Sequence, residues 1–357
     1  MLIKTIFSSA TQLSIAQLRI LRLAFGTAVS LWFSQLIGGD MSFVSAVFTM
    51  FILALPLPVP KPKAGIMFVL IFSGCLYAGL LLLPTLLNQP LVGMILLVMA
   101  LFWSFYYTTK GGSAVVGTFV TVGIALTTAV GSVNVDAVVA LVGSMGIAAF
   151  VGVLFVYIAH ACLPDSMAEA PDAQPSKQAP QTESPDLSAA RWSAFRSLLI
   201  VLPVALWFLF SAASTAYVPV MIKVASMGQQ AANDATKTAG KSLIMSTIIG
   251  GAGAIIGWQI LSIAPTLPIY VLFVALTGLI CGVRIFQGPA MHPQAATWSY
   301  AYLTMLVILA PAVMDGSGGG SAGIKFWDRL LMFGGTTLYA VIAVYVVDAF
   351  RPKVNSS

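Results

Sequence analysis

Apolar residues run along this chain in long unbroken stretches, not in alternation with polar ones. Short breaks carrying Gly, Pro or charge separate the stretches. They cover 18–38, 41–58, 64–84, 90–107, 113–131, 137–162, 196–213, 215–230, 240–263, 266–284, 294–314 and 329–350. A helix crosses the hydrocarbon of a bilayer with about 20 apolar residues, so the pattern predicts an all-α polytopic membrane protein of about 12 transmembrane helices. Continuous hydrophobicity, as opposed to a period of two, argues against an outer-membrane barrel. The weakest stretch is 215–230, which is short, interrupted by Pro219 and carries Lys223.

One segment is of a different kind. Residues 164–190 hold Pro164, Pro171, Pro175, Pro180 and Pro185 among Asp165, Glu169, Asp172, Glu183 and Asp186. Too little apolar surface is present there to fold, which predicts a disordered linker. The expected organisation is an interfacial segment at 1–17, a membrane repeat at 18–163, the linker at 164–190, a second repeat at 191–351 and a tail at 352–357. The repeats are read from matching residues. Ala28-Val29-Ser30-Leu31-Trp32-Phe33 matches Pro203-Val204-Ala205-Leu206-Trp207-Phe208, and Lys61, Gly74 and Gly112 match Lys237, Gly250 and Gly288. Gly146, Val156-Tyr157, Ala161 and Pro164 match Gly334, Val344-Tyr345, Ala349 and Pro352. Six helices per copy make the two repeats parallel.

Composition narrows the class. Of 357 residues, 59% are hydrophobic and 8% charged, against roughly a quarter charged in soluble domains. With a mean hydropathy of +0.97, neither a soluble fold nor a disordered chain is compatible. The net charge of +6 does not imply a nucleic-acid partner, because no Lys/Arg run exists. The basic residues Lys4, Arg19, Arg22, Lys61, Lys63, Lys110, Lys177, Arg191, Arg196, Lys237, Lys241, Arg284, Arg351 and Lys353 fall on one side of a twelve-span arrangement. Only Lys325 and Arg329 fall on the other, offset by Asp315 and Asp328. This bias predicts cytoplasmic N- and C-termini.

Candidate chemistry is sparse. Cys75, Cys162 and Cys281 are scattered among apolar residues without metal-ligand spacing, so they read as small hydrophobes. Ala239-Gly240-Lys241-Ser242 imitates the end of a phosphate-binding loop, but Ala235 stands where that pattern needs Gly. Gly74, Gly79, Gly250, Gly251, Gly253 and Gly257 read as close-packing positions of membrane helices. Lys223, whose counterpart in the first half is Phe48, is either an anion-binding group at membrane depth or a lysine snorkelling to the cytoplasmic edge. Arg284, Phe286, Gln287, His292, Gln294 and Trp298 surround Gly288-Pro289 and match Tyr106, Tyr107, Lys110 and Gly111-Gly112. Such paired Gly-interrupted segments point to a binding site in repeat transporters, or else to an ordinary loop. His160 and Asp348 hold equivalent positions on the last helix of each repeat and are candidates for proton coupling, although Asp348 paired with Arg351 is the simpler reading. No Ser/His/Asp set and no paired carboxylates are visible, so no enzyme activity, cofactor or metal is expected.

Leu18-Arg19-Ile20-Leu21-Arg22-Leu23-Ala24-Phe25-Gly26-Thr27 opens the first helix, and Lys61 to Lys63 precede the helix of Gly74 and Gly79. The second copy repeats the theme at Lys237-Thr238-Ala239-Gly240-Lys241 and Arg329-Leu330-Leu331-Met332-Phe333-Gly334-Gly335-Thr336. In these features the membrane portion resembles the fusaric acid resistance and aromatic acid exporter superfamily of bacterial inner-membrane proteins. The resemblance implies an efflux permease for small organic, mainly aromatic carboxylic, acids, working with a periplasmic membrane-fusion adaptor and an outer-membrane channel. Family exporters often carry a large cytoplasmic domain after the first repeat, where this chain has only the linker.

The expected substrate-binding residues are then Lys223, Arg284 and His292 for the carboxylate and Tyr107, Trp298 and Phe286 for the ring. Coupling to the proton gradient is expected in a chain without a nucleotide-binding motif, and a homo-oligomer is an open expectation. The alternatives are an unrelated twelve-helix carrier, a passive anion channel and a membrane scaffold with no transport role.

Overall fold

The computed structural model describes residues 13–38, 41–165, 187–210, 218–233, 236–287, 290–316 and 322–350. Outside them lie residues 1–12 of the expected interfacial segment 1–17, most of the linker, Gly288-Pro289, the Gly-rich residues 317–321, Arg351 and the expected tail 352–357. Within the described residues the chain forms twelve helices. These are α1 (Ile15–Ile37), α2 (Val44–Leu53), α3 (Pro62–Asn88), α4 (Pro90–Thr109), α5 (Ala114–Gly131), α6 (Val135–Cys162), α7 (Leu187–Phe210), α8 (Val218–Asn233), α9 (Thr236–Ile263), α10 (Leu267–Ile285), α11 (Ala295–Gly316) and α12 (Ala322–Ala349). A two-residue hairpin, β1 (Phe286–Gln287) against β2 (Ala290–Met291), joins α10 to α11.

Among the described residues nine helices are long and apolar enough to cross a bilayer. The exceptions are α2, α5 and α8. The chain is therefore a multi-pass membrane protein whose exterior is apolar. Leu81, Leu91 and Ile263 are 77%, 76% and 85% exposed there, which suits lipid and not water. The segment 41–58 yields a helix of only 10 residues, about 15 Å at 1.5 Å per residue. Pro56, Pro58 and Pro60 explain the early stop, since a residue before proline is pushed out of the helical region. Elsewhere local chemistry sets the ends. Ser14 and Gln17 form a capping box on α1, and Asn134 accepts from the Ala137 N–H to cap α6.

Contacts between helix ends sort the bundle into two faces. Arg22 Nε donates to Leu163 O at 2.7 Å, Arg19 reaches Pro56 O at 3.5 Å and Tyr157 Oη donates to Lys61 O at 3.1 Å. Thr109 Oγ1 donates to Ala190 O at 3.0 Å. The beginnings of α1, α3 and α7 thus share a face with the ends of α2, α4 and α6. On the opposite face Ser132 Oγ donates to Leu209 O at 3.4 Å, and Asp315 pairs with Arg329 at 2.6 Å and Lys325 at 3.7 Å. Successive helices run up and down.

Helix pairing in the first six helices recurs in the last six. In the first half α1 packs on α2 and α6, α2 on α6, and α3 on α4, α5 and α6. In the second half α7 packs on α8 and α12, α8 on α12, and α9 on α10, α11 and α12. The two strongest contacts between the halves exchange, since α1 lies along α10 and α4 along α7, and α8 meets α5 as α2 more weakly meets α11, whereas α4 with α8 and α5 with α7 have no such counterpart. Close approach is bought by small residues. A Cβ at Gly278 on α10 would lie 2.9 Å from Ala24 Cα on α1, and one at Gly250 on α9 would collide with Ala301 O and Thr304 on α11. In lipid, where apolar burial does not drive helices together, such approach is a main source of cohesion.

Candidate functional site at the buried helix α8

Helix α8 runs through the interior, and every residue from Val220 to Ala232 is buried. It is also the most polar of the enclosed helices, with Lys223, Ser226, Gln229 and Gln230 among the buried groups. Lys223 is 1% exposed. It does not snorkel. Its Nζ donates to Thr304 Oγ1 on α11 at 2.7 Å, and that hydroxyl donates to Tyr300 O at 2.7 Å. Among the described residues Thr304 is its hydrogen-bond partner and no carboxylate pairs with it. An ammonium has three donors, and a buried cation without a counter-ion is costly unless a partner arrives. The arrangement can therefore receive an anion.

One turn from Thr304, the Tyr300 ring lies 6.1 Å from Phe51. Phe51 belongs to an aromatic cluster on α2, α3 and α5. There Phe48 meets Phe119 at 4.2 Å and Phe72 at 4.8 Å between ring centroids, and Phe51 meets Phe119 at 5.3 Å. Two cavities flank the short helices. One of about 460 Å³ lies between α7, α8 and α12, lined by Trp207, Phe208, Val220, Thr336 and Tyr339. One of about 170 Å³ lies between α1, α2 and α6, where Ser34, Ser42, Ser45 and Ser144 line it.

The other residues singled out in the sequence fall in separate surroundings. Arg284 and Trp298 do come together, the guanidinium standing 5.6 Å from the ring centroid. His292 accepts from the Gln294 N–H at 3.1 Å through its ring nitrogen, while its backbone N–H donates to Ile285 O. Those bonds make it a fastener of the hairpin and of the start of α11. Phe286 is buried in the hairpin strand beside α1. Tyr107 is 48% exposed at the end of α4, with its ring under Gly112.

His160 lies 7% exposed near Arg22, its Nδ1 bonded to Val156 O. Arg22 itself pairs with Asp165 at 2.7 Å. Asp348 pairs with Arg196 at 3.2 Å, and Arg196 also donates to Ala231 O at the end of α8. The expected partner of Asp348, Arg351, lies outside the described residues. Arg196 takes that place because α7 begins where α12 ends.

Thr304 and the arginines Arg22 and Arg196 were not foreseen as partners. A signal existed for Thr304. Lys223 and Gln230 stand seven residues apart on α8, as do Thr297 and Thr304 on α11, and polar residues at that spacing in apolar helices share a face.

Residues 19–159, from the first turn of α1 to the last turn of α6, match a family described as a protein of unknown function, DUF2955. No curated protein and no solved structure matches the chain.

Proposed function

We propose that this protein is a bacterial inner-membrane efflux permease for small aromatic carboxylic acids, driven by the proton gradient and working with a periplasmic adaptor. The observation that carries this reading is Lys223, enclosed without a carboxylate among the described residues, one turn along α11 from the edge of an aromatic cluster. The ammonium would take the carboxylate, while Tyr300 and Phe51 would contact the ring. The Arg284 and Trp298 pair on the outer part of the bundle would act as an approach site.

In this reading the two halves are parallel six-helix repeats related by an axis along the membrane normal. The recurrence of helix pairings supports it, and so does a family match confined to the first six helices. The face that holds the start of α1 and the end of α12 is assigned to the cytoplasm, because Arg19, Arg22, Lys61, Lys110, Arg196 and Arg284 gather there and Lys325 and Arg329 are neutralised by Asp315 on the other.

The test is efflux of labelled aromatic and aliphatic carboxylates from cells with and without the protein, with and without a protonophore. Expected is protonophore-sensitive efflux of an aromatic acid that Lys223→Met lowers at least tenfold at unchanged membrane abundance. Undiminished efflux by that variant removes Lys223 from the site. If no acid moves when adaptors are co-expressed, the substrate class is wrong.

A further inference from the structure

The surroundings of Lys223 extend in one direction as a ladder of polar groups. Helices α8 and α11 run antiparallel and meet in a register that sets Lys223 against Thr304 and, two turns away, Gln230 near Thr297. The far rung is closed through α9, where Gln230 Nε2 donates to Ser242 Oγ and Ser242 lies 2.7 Å from Thr297 Oγ1. Between the rungs the three helices present Ser226, Ser246 and Ala301, all buried. Ser226 donates to Lys223 O at 2.7 Å, and Gly250 brings α9 against Thr304. The rungs are about 10 Å apart, seven residues at 1.5 Å.

The ladder has a direction. At the Gln230 end Ser242 and Thr297 are partly exposed and Lys241 is exposed. This is the face holding the start of α9 and the end of α12. Beyond Thr304, α11 continues as Met305-Leu306-Val307-Ile308-Leu309-Ala310-Pro311-Ala312, all apolar and buried. One further atom bears on the ladder: Gln230 Oε1 is buried with no hydrogen-bond partner among the described residues, whereas the Gln229 amide faces α5 through Thr121. A buried amide oxygen left unpaired is destabilising by about 1–3 kcal/mol, and water is the usual partner of such groups.

We propose that α8, α9 and α11 enclose a water path from the face holding the start of α9 and the end of α12 to Lys223, closed beyond Thr304 by the apolar half of α11. The path is independent of what the protein carries. It explains how a group buried in a bundle of lipid-facing helices exchanges with one aqueous compartment and not with the other.

The test uses single-cysteine variants of the full chain, with Cys75, Cys162 and Cys281 replaced by serine, in inside-out and right-side-out vesicles. Ser242→Cys, Ser246→Cys, Ser226→Cys and Thr304→Cys are reacted with a small membrane-impermeant methanethiosulfonate. Ala254→Cys, buried on α9 past Gly250, is the reference, and a separate variant that keeps Cys162 as its single cysteine, exposed at the end of α6, marks the face holding the start of α9 and the end of α12. Expected are reactions from that face alone, slowing from Ser242 to Thr304 yet at least tenfold faster than Ala254→Cys. Rates at Ser226, Ser246 and Thr304 no faster than the reference, or reaction from the opposite face, overturn the path. If Thr304→Cys does not fold, Ser226→Cys supplies the deep position. Labelling without any acid efflux leaves the path standing and overturns the proposed substrate, whereas acid efflux without labelling overturns the path alone.

Discussion

Helices α2 and α8 are each the second of six, each short and each almost wholly enclosed, yet they bury opposite chemistry. Around α2 the interior is aromatic, with Phe48 packed against Phe72 and Phe119. Its polar groups, Ser45 and Thr49, are small hydroxyls that bond to the helices packed directly on α2, Thr49 donating to Gly152 O on α6 at 3.0 Å and Ser45 bonding to Ser34 on α1. Around α8 the buried group is Lys223, which sequence offset pairs with Phe48, and the long amides of this helix reach across to others, Gln229 to Thr121 on α5 and Gln230 to Ser242 on α9. One half supplies a rigid apolar wall and the other a polar interior. A site of the proposed kind, formed between them, would need no symmetry of its own.

The sharpest way to break this contrast is to make the halves alike. Phe48→Lys would place an ammonium among Phe68, Phe72 and Phe119, at a cost of several kcal/mol with no hydroxyl placed like Thr304. The expected outcome is loss of the folded protein, seen as loss of a monodisperse peak in detergent, whereas Lys223→Phe still elutes as one. A smaller contrast lies in the two arginine pairs. Arg196 and Asp348 are 4% and 7% exposed, but Asp165 opposite Arg22 is 60% exposed. Asp348→Ala should destabilise by about 3–5 kcal/mol because both partners of that ion pair are buried, and Asp165→Ala by less, because its carboxylate is exposed and Arg22 keeps its bond to Leu163 O. Equal shifts in melting temperature would contradict the burial difference. Smallest are the glycines. A Cβ at Gly152 would lie 2.6 Å from Phe48 Cβ, and one at Gly250 would meet Ala301 O, so each Gly→Ala should destabilise by about 1–3 kcal/mol through overpacking. An unchanged melting temperature would mean that the helices can part there freely.

The twelve apolar stretches correspond to twelve helices among the described residues, because continuous hydrophobicity over 16 or more residues has few other outcomes in a chain this poor in charge. The lengths of α2 and α8 were less legible, since apolar character runs through the prolines after α2 although helix does not. The pairing of polar groups was scarcely legible at all. Lys223 reads the same whether it snorkels or donates to Thr304, because that contact spans 81 residues and depends on the register of α8 against α11. Arg284 and Trp298, 14 residues apart, meet, since the hairpin between them leaves few alternatives. Tyr107, matched to that loop only by sequence offset, sits at the exposed end of α4, away from Arg284 and Trp298.

The helix pairs α1 with α10 and α4 with α7 have a consequence for assembly. Each pair joins one half to the other, and neither passes through residues 166–186, the chain that connects them. A backbone cut in that stretch severs none of these contacts. What the connection contributes is effective concentration, which hastens the meeting of two halves in the plane of the membrane and matters little once they have packed. Two separately synthesised halves would hold the same interface, each withholding part of its lipid-incompatible surface until the other arrives.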